Sequence, residues 1–131
     1  MSERTDWVRK FRDAGRGIAV AVRTQVCLRV HLAVTVVVVA AGVLLGMPPW
    51  HLALVAAMCA LVIALEMVNS ALEELVKGHV SEPSEFAGRA LAMSAGAVLV
   101  ASIGAVVVGA LVFGQRIVEL LRAAGSGLTP R

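Results

Sequence analysis

Residues 32–65 read LAVTVVVVAAGVLLGMPPWHLALVAAMCALVIAL, and no Asp, Glu, Lys or Arg interrupts them. A bilayer core roughly 30 Å thick is crossed by about 20 apolar residues in helix, so this run is too long for one crossing. Met47-Pro48-Pro49-Trp50-His51 breaks it. Consecutive prolines mark a turn, and Trp favours the membrane–water interface. The stretch therefore predicts two spans, about 30–46 and about 52–77. Further along, residues 90–115 are again free of charge and predict a third span at about 90–114. The whole chain has 131 residues, 59% of them hydrophobic and 16% charged, with a mean hydropathy of +0.86. A soluble domain is about half apolar and a quarter charged. At this size it also needs polar residues to cover its surface. The expected fold is an all-α membrane protein with three transmembrane helices in one integral membrane domain, residues 1–131.

The segment before the first span has a pattern of its own. Trp7, Val8, Phe11, Ile18 and Val22 fall roughly at helical spacing, while Arg9, Lys10, Arg12, Asp13 and Arg16 take other faces. That is how an amphipathic helix lying at the headgroup level is written, and it is expected at about 5–24. Gly15 and Gly17 weaken it, leaving a loosely ordered basic leader as the bland alternative. A secretory signal peptide is not expected, because some thirty residues precede the first apolar run. Seven of the twelve basic residues precede the first span: Arg4, Arg9, Lys10, Arg12, Arg16, Arg23 and Arg29. Positive loops stay inside, so the N-terminus is expected in the cytoplasm and the 77–89 loop on the same side. Arg116, Arg122 and Arg131 in the tail pull weakly the other way. No groove-binding or stacking pattern accompanies these cations, so anionic headgroups are the expected partner and nucleic acid is not. Cys27 and Cys59 lie in or beside apolar helix and read as buried, inert thiols.

The chemistry-bearing residues sit at the end of the second span. Glu66, Asn69 and Glu73 are spaced three and four apart and share one helix face. Ionisable groups at membrane depth are expensive and face a protein interior or a functional path. Two carboxylates and an amide are hard oxygen donors of the kind that Mg²⁺ accepts, and Mg²⁺ commonly accompanies nucleotide phosphates. Glu74 reads more simply as the helix leaving the bilayer. In the third span Ala97, Ala101, Ala105 and Gly109 recur every four residues. Such a small-residue face suits close packing within the chain or between copies equally. His31 and His79 have no ligand spacing, so zinc is not expected. The chain has no phosphate-binding Gly-rich loop and no nucleophile elbow, and a soluble-type phosphotransferase is not expected.

Glu66-Met67-Val68-Asn69-Ser70-Ala71-Leu72-Glu73 resembles the signature of the prokaryotic diacylglycerol kinase and undecaprenol kinase family. The similarity continues without a gap through 87–98, ending in Ala95-Gly96-Ala97-Val98. It extends back through 23–31 and 11–18, and in all it covers about residues 7–114. The resemblance implies a homotrimer in the bacterial cytoplasmic membrane that transfers the ATP γ-phosphate to a lipid hydroxyl, of diacylglycerol or undecaprenol, at the cytoplasmic face. It implies Glu66 as the general base on that hydroxyl, and Asn69 and Glu73 as ligands of nucleotide and Mg²⁺, with Glu73 on the metal. Gln25 stands where the family usually has a glutamate that ligates the metal, and the resemblance implies it as a nucleotide- or metal-binding residue beside Asn69 and Glu73 that offers a carbonyl oxygen without the charge. Leu91-Ala92 stands where the family has a Lys-Asp pair, and Lys77 where it has an Asp.

Three readings follow. The first is a working lipid kinase using Glu66, Asn69 and Glu73. The second is a catalytically degenerate relative that keeps the membrane scaffold and binds lipid or a partner; Gln25, Leu91 and Ala92 motivate it. The third is an unrelated membrane subunit whose acids line an ion path, disfavoured by the length of the ungapped resemblance.

Overall fold

The computed structural model describes residues 3–79 and 84–127. Residues 80–83, within the expected 77–89 loop, and Arg131 of the basic tail lie outside the described residues. Four helices follow one another: α1 (Glu3–Thr24), α2 (Val26–Leu44), α3 (Pro49–His79) and α4 (Glu85–Ser126). Among the described residues there is no strand. Helices α2, α3 and α4 are each long and apolar enough to cross a membrane, as the charge-free runs predict.

The helix boundaries have local causes. Between α1 and α2 only Gln25 leaves the helical region, at φ −102 and ψ 115. The α2–α3 turn is a Schellman closure. Met47 N–H donates to Gly42 O at 3.0 Å and Gly46 N–H to Val43 O at 3.0 Å. Gly46 takes the left-handed φ of +63 that such a closure requires. Pro49 then opens α3 where its missing N–H is not needed. Ser84 caps α4, its hydroxyl accepting from Ala87 N–H at 3.0 Å. The sequence reading ends the third span near 114, whereas α4 runs unbroken to Ser126. Gly114 alone weakens a helix by only about 1 kcal/mol and does not end it.

Helix α3 is the central element, packed extensively on α4 and also on α2, with α1 touching α2 and α3. Its buried face runs through His51, Val55, Val62, Glu66, Asn69 and Ser70. A small core at the Gly46 end joins Met47, Val55 and Val112, flanked by Val38, Leu52 and Phe113. Arg116 of α4 ties this end together, donating Nε to Leu45 O at 2.8 Å. Most large apolar side chains of the spans point outward, including Val36, Leu99, Val106 and Leu111. A surface of that kind belongs in lipid or against other helices. Cys27 of α2 shares this outward exposure, against the expectation of a buried thiol, while Cys59 is partly buried. The small-residue face of α4 divides: Ala101 is buried, while Ala105 and Gly109 line an open apolar cleft of about 410 Å³ with Val37, Val38 and Phe113.

Candidate functional site

The far end of α3 carries the acids. Glu66 and Asn69 are buried at 7% and 8% exposure, despite standing in an all-helical chain with most of its surface open. Among the described residues Glu66 has no hydrogen bond or ion pair, so its carboxylate oxygens keep their accepting capacity. Asn69 is engaged on both sides: its Nδ2 donates to Glu73 Oε1 at 3.0 Å, and its Oδ1 accepts from Ser94 Oγ at 2.6 Å. Glu73 Oε2 faces Lys77 Nζ at 3.5 Å, an ion pair that is largely exposed. Two residues of the predicted stripe, Asn69 and Glu73, are linked with Ser94 and Lys77 in one connected arrangement, Ser94–Asn69–Glu73–Lys77. Glu66 stands outside it, about one turn from Asn69 and two turns, about 10 Å along the axis, from Glu73. Helix side chains lean toward the N-terminus, so Glu73 leans toward Glu66.

Gln25 does not join this set. Its Nε2 reaches Glu74 Oε1 at 3.4 Å, on the neighbouring face of α3. The two residues line a cleft of about 570 Å³ between α1 and α3, together with Asp13, Arg16, Thr24 and the buried Ser70. The expectation that Gln25 shares a ligand set with Asn69 and Glu73 therefore differs from the geometry. So does the reading of Glu74 as only a mark of the helix exit. Both differences have one cause: Glu73 and Glu74 are adjacent and point about 100° apart, so only one of them can follow the Glu66–Asn69 face. Arg89 pairs with Glu85 of its own helix at 4.0 Å. Leu91 and Ala92 present no polar side-chain atom to the site.

Among the described residues no three His, Cys, Asp or Glu side chains cluster as a metal cage. Mg²⁺ does not require one: it is commonly held by one or two carboxylates with water and substrate phosphates. Glu73, a partly exposed carboxylate, suits that mode. The sequence reading does not single out Ser94, and it takes Glu74 as the helix leaving the bilayer. A serine in an apolar helix carries no signal until the register between α3 and α4 is known.

A family model described as prokaryotic diacylglycerol kinase matches residues 12–113, spanning α1 from Arg12 through most of α4. The chain belongs to the prokaryotic diacylglycerol kinase family. A diacylglycerol kinase of Synechocystis sp. is 40% identical over 100 residues, which is 76% of this chain. The aligned stretch covers 57% of that relative's length. The matched region contains every residue of the buried stripe, from Glu66 to Ser94, and the Gln25–Glu74 cleft as well. A diacylglycerol kinase family member with three apolar helices is a membrane protein, and its polar chemistry is gathered at one end of the bundle.

Proposed function

We propose that this chain is a lipid kinase that transfers the γ-phosphate of ATP to a lipid hydroxyl at the cytoplasmic face of a bacterial inner membrane. The observation that carries the reading is a buried Glu66, without a hydrogen bond or ion pair among the described residues, one turn from Asn69 and two from Glu73, in a chain of this family. In the reaction the lipid oxygen forms a bond to the γ-phosphorus while the bond to the β-bridging oxygen breaks and ADP leaves. Glu66 takes the hydroxyl proton. Asn69 and Glu73 orient the nucleotide, and Glu73 holds Mg²⁺, which when bound neutralises charge on the phosphates. Lys77, mostly exposed and, among the described residues, held by its ion pair with Glu73, can turn toward a phosphate. The α1–α3 cleft, amphipathic and open, suits the headgroup of the lipid acceptor. Similarity to the diacylglycerol kinase of Synechocystis sp. favours diacylglycerol over undecaprenol as the acceptor. Seven basic residues before the first span support a cytoplasmic N-terminus, and the reading takes a homotrimer as the functional unit.

A second reading rests on Leu91 and Ala92. A member that lacks a phosphate-binding cation and carboxylate at those positions, and has Gln25 for a glutamate, is a lipid-binding or scaffold protein without turnover. One experiment separates the two. Phosphate transfer from labelled ATP with Mg²⁺ is measured in mixed micelles containing diacylglycerol or undecaprenol, with Glu66→Gln beside the wild type. The kinase reading expects product from the wild type and a loss of about 10²–10⁴-fold in the variant. No product with either lipid, from folded and oligomeric protein, leaves the scaffold reading.

A further inference from the structure

Asn69 is gripped from two helices. Its Nδ2 meets Glu73 Oε1 at 3.0 Å and its Oδ1 meets Ser94 Oγ at 2.6 Å. The orientation is dictated by chemistry: a carboxylate only accepts, so the NH₂ must face Glu73 and the carbonyl oxygen must face α4. That oxygen is buried, and only a donor from α4 satisfies it. The Ser94 hydroxyl also lies 2.9 Å from Leu91 O in its own helix, but the shorter contact is to Asn69. Among the described residues this is the one hydrogen bond from a side chain of α4 to the acid-bearing stripe of α3.

We propose that Ser94 is a positioning residue of the phosphoryl-transfer site: it locks the Asn69 carboxamide, and through it the Glu73 carboxylate. This rests on the lipid-kinase reading above. With Oδ1 held by Ser94, the Asn69 NH₂ has one direction left and occupies Glu73 Oε1. Glu73 Oε2 is then turned toward the exposed side, where Lys77 lies and where a metal-bound nucleotide approaches. If the Ser94 hydroxyl is removed, Oδ1 becomes a buried acceptor without a donor. The carboxamide then relieves it by rotating, and Glu73 loses its fixed aim. Helix α4 offers Leu91 and Ala92 to this end of the site, so Ser94 is its polar contribution there. The contribution is indirect, because Ser94 touches neither phosphate nor lipid.

The test measures Mg²⁺-dependent ATP binding by calorimetry, together with kcat and KM, on detergent-solubilised full-length protein. The variants are Ser94→Ala, Ser94→Thr, Asn69→Ala and the Ser94→Ala/Asn69→Ala double. Loss of one neutral hydrogen bond predicts that Ser94→Ala weakens MgATP binding and raises its KM about 3- to 10-fold. The lipid KM stays within about twofold, because no lipid contact is lost. Ser94→Thr, which keeps the hydroxyl, restores MgATP affinity. The double variant is no weaker than Asn69→Ala alone, because Ser94 acts only through Asn69. Additive losses, or a threonine that fails to rescue, would overturn the assignment. An active wild type with an unchanged Ser94→Ala removes this inference and leaves the kinase. A wild type that neither binds MgATP nor transfers phosphate removes the kinase reading and this inference with it.

Discussion

His51 and Glu66 are both buried polar residues on the same face of α3, and they make opposite predictions. His51 is 2% exposed at the Gly46 end, and neither ring nitrogen has a hydrogen-bond partner among the described residues. Its ring lies 3.6 Å, centroid to centroid, from that of Trp50. A buried polar group without a partner costs about 1–3 kcal/mol, more than the roughly 0.5–1.5 kcal/mol that a ring contact returns. His51→Leu, close in volume, is therefore expected to raise the thermal midpoint in detergent and leave phosphate transfer intact. A lowered midpoint would mean that the imidazole has a partner beyond this chain. Glu66→Gln keeps the shape as well, and is expected to cut transfer by about 10²–10⁴-fold without changing the midpoint. The Glu66–Asn69–Glu73 stripe was legible because a spacing of three and four has only one meaning on a helix. The partners of those residues were not legible. Whether Ser94, Leu91 or Ala92 meets Asn69 depends on the α3–α4 register, and whether Gln25 meets Glu73 or Glu74 depends on where α1 ends.

At the scale of elements, the α2–α3 connection concentrates several devices in a few residues. Gly46 sits at φ +63, and a Cβ placed on it would lie 3.2 Å from Arg116 Nη2. Arg116 in turn caps the α2 C-terminus through Leu45 O and pairs with Glu119 at 3.2 Å. Left-handed backbone costs a non-glycine residue roughly 1–2 kcal/mol, so Gly46→Ala is expected to destabilise by about that much. Arg116→Gln loses a charged donor to a backbone carbonyl, worth about 1.5–3 kcal/mol. The pair with Glu119, partly exposed, adds about 1 kcal/mol or less. Denaturation of both variants and their double in micelles checks this. The two losses are expected to be non-additive, since the alanine Cβ presses on the same guanidinium. The turn itself was legible from Met47-Pro48-Pro49. The clamp from α4 was not, because nothing in the sequence announces that Arg116 stands one helix away from Leu45.

Across the whole molecule, the three long helices share a small core at the Gly46 end, and α2 and α4 both lean on α3 and leave an apolar cleft between them. The composition predicted an apolar exterior, since few polar residues are available to cover it. It could not say what meets that exterior. The proposed homotrimer requires part of it to face another copy. Small residues allow helices to approach closely, and Ala105 and Gly109 present such a surface on the cleft. Gly109 has open space where a Cβ would be added. Within one chain, Gly109→Ala is therefore harmless or stabilising by up to about 1 kcal/mol. Gly109→Leu is likewise free of internal clash at its Cβ, so any effect on assembly reports on what approaches from outside. If a helix of a second copy docks in this cleft, native mass measurement will find Gly109→Leu shifted from the trimer to smaller species, with the single-chain fold retained. If the trimer mass is unchanged, lipid chains fill the cleft and the copies meet elsewhere. Transfer activity recorded on the same samples then shows whether the Glu66–Glu73 site works in one chain or only in the assembly.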